Sequence, residues 1–242
     1  MSGHSKWSTI KRKKGKLDAA RGKIFTKLIR EITTAARNGG GDEGSNPRLR
    51  SALVAAKAAN MPMANIEKAI KKGTGELPGV IYEEKSYEGY GPGGVAIMID
   101  TLTDNTNRTT AEVRHALTKF GGNLGETGCV GWMFESKGLI AISTDTVDED
   151  TLMDLALEAG ADDFSLEGDV FEIITAPEAF DAVKAAIDNA NIETVSAEVT
   201  KIPQNTIKVE GKQADIIIRV MDMLDDIEDV QQVYANFDMD DE

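Results

Sequence analysis

Six cations, Lys6, Lys11, Arg12, Lys13, Lys14 and Lys16, fall within "GHSKWSTIKRKKGK" (residues 3–16), which holds one tryptophan, Trp7, and no acid. Cations at this density can follow a phosphate backbone, and an indole offers a flat face on which a base can stack. Stacking of that kind suits unpaired RNA better than an intact duplex. Further cations continue the theme. Lys23, Lys27, Arg30 and Arg37 recur on one side of a predicted helix that begins at Leu17. Arg48 and Arg50 sit in the first turn of the next predicted helix, where the positive end of the helix dipole disfavours cations. A phosphate at that terminus would reverse the sign, accepting backbone N–H bonds and arginine forks together. Solvent screening of exposed arginines is the alternative for this last pair.

The charge distribution sharpens the contrast. Residues 1–72 hold 17 Lys and Arg against 5 Asp and Glu, a net +12; the remaining 170 residues hold 10 against 36, a net −26. A basic module joined to an acidic one points to a polyanion partner for the first part. The acidic remainder would repel the same partner and discourage indiscriminate binding. Mutual pairing of two solvated halves is the bland alternative.

Little else can do chemistry. His4 and His115 are the two histidines, and no HExxH, paired CxxC or GxxxxGK[ST] occurs. His115 reads as a surface or hydrogen-bonding residue, and Cys129 as a small core residue opening a strand. "GYGPGG" precedes a strand rather than a helix, so it reads as a hairpin turn and not a phosphate cradle. The run "DMLDDIEDV" alternates acids with Met, Leu and Ile, as a solvated helix face does. No enzyme, cofactor or metal is expected. No stretch approaches ~18 uninterrupted apolar residues, so no membrane span is expected. The basic start lacks an apolar h-region, so it does not read as a secretory signal. A single cysteine cannot close an internal disulfide, which points to a reducing, cytoplasmic setting.

The elements that would position these groups follow from periodicity. Leu17, Ala20, Ile24, Leu28, Ile32 and Ala35 predict a helix ended by Gly39–Gly41. Asn46-Pro47 predicts an N-cap and first helical position. A third helix is expected from Met63 to Lys72 with Gly73 as its stop. After a linker at 74–79 the pattern turns to strands: "VIYEEKSYEGY", a type II turn at Gly91–Gly94, and "VAIMIDTL". Thr109 and Glu112 suggest a capping box, and "CVGWMF" another strand. Residues 137–200 then run β-α-β-β-α-β, the ferredoxin-like split βαβ. A helix near 213–225 and the strand "VQQVYANF" supply what the preceding segment lacks. The expected organisation is α+β, a basic arm (1–16) followed by three domains: a basic helical domain with its linker (17–79), a discontinuous ferredoxin-like α+β domain (80–136 plus 201–242), and a second ferredoxin-like domain (137–200) inserted into it.

Four strings, "GHSKWSTIKRKKGKLDAARGKIFTKLIREI", "NMPMANIEKAIKKGTGE", "YEGYGPGGVAIMIDTLTDNTNRT" and "EVRHALTKFGGNLGETGCVGWMF", resemble the signature segments of the YebC/PmpR family. That family is related to the mitochondrial translational activator of cytochrome c oxidase, and with no transit extension before Met1 the chain looks like a bacterial member. The resemblance implies three domains, helical first and then two of ferredoxin-like character. It implies a regulator that contacts nucleic acid without a cofactor, either at promoter DNA or on ribosomal RNA, aiding translation of proline-rich stretches. The contact role falls on His4, Ser5, Lys6, Trp7 and the lysines that follow.

Overall fold

The computed structural model describes residues 19–239. In chain order these form α1 (Ala19–Gly39), α2 (Pro47–Ala58), α3 (Met63–Thr74), β1 (Glu83–Tyr90), β2 (Ala96–Thr103), α4 (Thr106–Lys119) and β3 (Asn123–Leu124). There follow β4 (Phe134–Ser143), α5 (Glu149–Glu158), β5 (Asp163–Glu167), β6 (Val170–Thr175), α6 (Phe180–Asn189) and β7 (Ser196–Pro203). The chain ends with β8 (Ile207–Lys208), α7 (Gly211–Asp225), β9 (Val230–Ala235) and β10 (Phe237–Asp238). Two bodies result: residues 19–131 with 211–235, and residues 132–210 with 236–239.

In the first body, α2 and α3 both pack on α1 around Ile32, Ala35, Ala36, Leu49, Leu53, Ile66 and Ala69. Small side chains let the helices approach closely. Asn46 fixes the α1–α2 corner from both sides. Its Oδ1 accepts from Leu49 N–H, as an N-cap should, while its Nδ2 donates to the carbonyls of Ala35 and Gly40 at the end of α1.

The expected stop at Gly73 is not where α3 ends. Gly75, at φ 85°, provides the left-handed cap, and Gly73 lies inside the helix. A Cβ at Gly73 would stand 2.5 Å from the Thr33 carbonyl oxygen and 2.7 Å from Ala36 Cβ. Contact, not termination, requires this glycine. Gly73→Ala gains about 1 kcal/mol of helix propensity but forces α1 and α3 apart, which costs about 1–3 kcal/mol. A net loss of stability in urea titration is the expected outcome; a gain would show that the helices can separate freely.

The rest of this body is a four-stranded antiparallel sheet in the order β3-β1-β2-β9. β9 reaches it from beyond residues 132–210, pairing Ile97 with Ala235 and Ile99 with Val233. Val113, Ala116 and Leu117 of α4 and Ile217, Val220 and Leu224 of α7 supply fully buried side chains. Gly93, at φ 75° and ψ 12°, occupies the third position of the Gly91–Gly94 turn, and Gly94 N–H donates to the Gly91 carbonyl. That is type II geometry, as the proline and glycines required. The capping box at Thr109 is not formed. Asn105 caps α4 one turn earlier, and Thr109 is buried within the helix.

The second body holds β4-α5-β5-β6-α6-β7, with strand order β5-β6-β4-β7 and every neighbouring pair antiparallel. This is the ferredoxin-like arrangement. Ile140, Ile142, Phe171 and Ile173 face Leu152, Ala156, Val183 and Ile187 of the two helices. "CVGWMF" is not a strand of its own: Gly131–Met133 is a 3₁₀ turn, and β4 begins at Phe134 because Phe134–Lys137 pair with Thr200–Pro203. β8 and β10 form a short parallel ladder of their own.

Candidate nucleic-acid interface

Lys6, Trp7, Lys11, Arg12, Lys13, Lys14 and Lys16 lie outside the described residues. The cations expected on the outer side of α1 have a different environment from the one their spacing suggested. Lys23 Nζ is 2.7 Å from Asp226 Oδ1, both side chains being exposed. Lys27 donates to the Asp225 carboxylate (2.8 Å) and to its backbone carbonyl (3.0 Å), closing the C-terminal end of α7. Arg30 is only 6% exposed. It bonds Asp229, the Leu102 carbonyl (2.8 Å) and Glu228 (2.9 Å), and its guanidinium stacks 5.2 Å from the Tyr82 ring centre. The reading of Arg30 as a surface phosphate contact is therefore corrected. α1 has two packed sides, one towards α2 and α3 and one towards the α+β part of the same body.

Arg48 likewise meets its anions within the fold, bonding both Glu31 oxygens (2.7 and 3.1 Å) and Glu84 (2.6 Å). Glu31 above all, and Glu84, hold its proton more tightly than usual. Arg50 is exposed and donates to the Glu43 and Gly44 carbonyls. On α2 it lines up with Val54, 62% exposed, and Lys57 at helical spacing. Lys68, Lys71 and Met63 are exposed on α3. The sequence reading had not singled out Lys57 or Lys68, whose one signal is their offset from the buried Leu49–Ala56 and Ile66–Ala69 positions.

The residue that organises this region was missed altogether. Asp229, at the end of the run read as a solvated helix face, is 1% exposed. It accepts from Arg108 (2.7 Å), Arg30, and the hydroxyls of Thr109 (2.6 Å) and Thr103 (3.2 Å). Burial alone would push its carboxyl up. Hydrogen bonds from Arg108, Arg30 and Thr109 outweigh that and hold it below the usual carboxylate range. Asp225 and Asp226 of the same run differ in having α1 lysines as partners rather than buried arginines.

The remaining candidates are structural in their surroundings. Backbone N–H groups of Gly128, Val130 and Gly131 converge within 2.7–2.8 Å on the buried Glu88 carboxylate, so this anion cradle already holds the chain's own anion. Burial, with the Glu88 charge beside it, pushes the Cys129 thiol up and away from the reactive thiolate. His115 is exposed on α4. Among the described residues no cluster of His, Cys, Asp and Glu is arranged for a metal ion, and no helix is long and apolar enough to cross a membrane.

Residues 5–76 match the TACO1/YebC protein N-terminal domain, and residues 82–237 match the TACO1/YebC second and third domain. A protein of Desulfatibacillum aliphaticivorans named "Probable transcriptional regulatory protein" is 62% identical over 242 residues, covering 100% of this chain and 98% of that one. One of the same name from Pelotomaculum thermopropionicum is 58% identical over 243 residues, covering 100% of both. The crystal structure of a conserved hypothetical protein from Aquifex aeolicus superposes with a TM-score of 0.84 at 48% identity, covering 93% of each chain. The chain belongs to the TACO1/YebC family.

Proposed function

We propose that the protein is a gene-expression regulator that acts by binding nucleic acid, without catalysis, and that its target is RNA on the ribosome. The observation that carries this reading is the separation of charge between residues 1–72 (+12) and the rest (−26). Among the described residues, Lys23, Lys27, Arg30 and Arg48 are matched by acids. That concentrates the role on the Lys6–Lys16 segment with Trp7, assisted by Arg50, Lys57, Lys68 and Lys71. A cationic segment carrying one aromatic suits unpaired RNA, where a base can be stacked and phosphates followed. By family resemblance the process served is translation of proline-rich stretches.

One observation favours a second reading, transcriptional regulation at promoter DNA. α2 and α3 are joined by only Ala59–Pro62, with Asn60 at φ 56°, a connection of helix-turn-helix length. The names of the relatives agree with it. In that case Lys68 and Lys71 of α3 would approach the major groove. Fractionation of a cell extract on a sucrose gradient at modest salt separates the two. Comigration with ribosomes that is lost on deleting residues 2–16 is the expected result. A promoter footprint that survives competitor DNA, with no comigration, overturns the RNA reading.

A further inference from the structure

β5 closes one end of the second body's sheet. β6 pairs with it on one side, and among the described residues no strand pairs with it on the other. Thr144 N–H donates to the Asp169 carbonyl, and Glu167 faces Val170 across the two-residue turn Gly168–Asp169, which fixes the alternation along the sheet. The backbone groups of Asp163, Ser165 and Glu167 therefore face β6, and those of Phe164 and Leu166 face outwards. The Asp163 carboxylate takes the Phe164 N–H at 2.9 Å. Leu166 keeps its outward N–H and carbonyl for a further strand, and its side chain is 51% exposed beside Phe164, which stacks on Phe171. Asp163 and Glu167 stand on the opposite face, at the two ends of the strand.

Proteins guard open edges with charge, but a guard of one sign is selective. Antiparallel pairing of β5 with a second copy about Ser165 would set Asp163 against Glu167 twice, and like charges directly opposite are destabilising. Residues 132–210 as a whole hold 4 Lys and Arg against 18 Asp and Glu, a net −14, which repels a copy and a nucleic acid alike. A strand of opposite sign meets no such barrier. We infer that β5 is a docking edge for an extended cationic segment of a partner protein, which adds as a fifth strand. The complement is legible position by position: a cation opposite Asp163 and another opposite Glu167, β-branched apolar residues opposite Phe164 and Leu166, and main-chain hydrogen bonds to Leu166. Proteins that bind polyanions carry such segments, so one nucleic acid can bring both proteins together. That last step rests on the nucleic-acid reading above; the strand pairing does not.

Amide shifts of the intact, nitrogen-15-labelled chain read the docking with no nucleic acid present. The probe is the peptide Lys-Val-Thr-Val-Lys with blocked ends, compared with the same peptide N-methylated at both valines, which keeps its charge and loses the bonds to β5. At about 20 mM salt, the first is expected to shift amides centred on Phe164–Glu167, and the second to bind about tenfold more weakly, the worth of one or two hydrogen bonds. Asp163→Asn/Glu167→Gln should weaken the first peptide about fivefold, whereas Asp150→Asn/Asp154→Asn on α5 should leave it unchanged. Should the β5 substitutions unfold the domain, the two peptides on the native chain decide the matter alone. Equal affinity for both peptides would show mere charge attraction and overturn the inference, as would shifts on other surfaces or none. Shifts at Leu166 that grow with protein concentration, without peptide, would seat a second copy on the edge and overturn the choice of partner. A chain that fails to bind RNA leaves these readings unchanged, so the two ideas fail separately.

Discussion

Replacing Asp229 by alanine is expected to lower the unfolding free energy by about 3–5 kcal/mol at neutral pH, the cost of leaving a buried charge unmatched. The variant leaves Arg30 inside the protein without its principal counter-charge, and strips partners from Arg108 and Thr109. Asp226→Ala, three positions earlier, removes only an exposed contact to Lys23 and should cost about 0–1 kcal/mol. Urea denaturation of the pair measures the contrast; similar midpoints would show that the Asp229 cluster contributes no more than a surface pair. The pH dependence has a definite sign. Asp229 is held below its ordinary value of 3.8, so its contribution is complete above that value. It is lost as pH falls through the lower folded value. Asp229→Asn should therefore start less stable and lose less on acidification across that range.

The second large effect concerns binding. Changing Lys11, Arg12, Lys13, Lys14 and Lys16 to glutamine should make the salt response of RNA affinity much shallower. The native chain, with about five phosphates engaged, should lose about a hundredfold on single strands between about 50 and 200 mM salt, and several hundredfold on duplex. Trp7→Ala should cost about 1–3 kcal/mol with the slope unchanged, because stacking releases no counterions. Arg30→Gln is the informative contrast, since it should destabilise the fold while leaving the salt slope alone. A flat response in the native chain, measured by fluorescence anisotropy, would remove the electrostatic basis of the proposed function.

The difference between Arg30 and Arg50 shows how far the sequence could be read. Asn46-Pro47, the Gly91–Gly94 turn and the β-α-β-β-α-β order are local signals, each complete within a few adjacent residues or one run of elements. The structure has all three. A helical wheel for α1, by contrast, assumes one buried side, and α1 has two. Ile24, assigned to the apolar stripe, is 43% exposed, while Arg30, assigned to the polar side, is buried. The partner responsible lies 199 positions away in Asp229, and nothing in "DMLDDIEDV" distinguishes that aspartate from its neighbours. Gly73 and Thr109 were misread for a related reason. Each looked like a terminus signal, and each is a long-range contact, with Thr33 and Ala36 in one case and Asp229 in the other.

Because β9 and Asp229 are encoded after residues 132–210, the first body cannot close its sheet until that whole stretch has been made. Residues 132–210 emerge whole before α7 and β9 do, so the later-encoded domain can finish folding while the earlier one still exposes an unpaired β2 edge and two arginines awaiting an acid. The usual amino-to-carboxyl order of maturation is thereby inverted, and a nascent chain arrested before residue 229 should carry a mature insert inside an incomplete host.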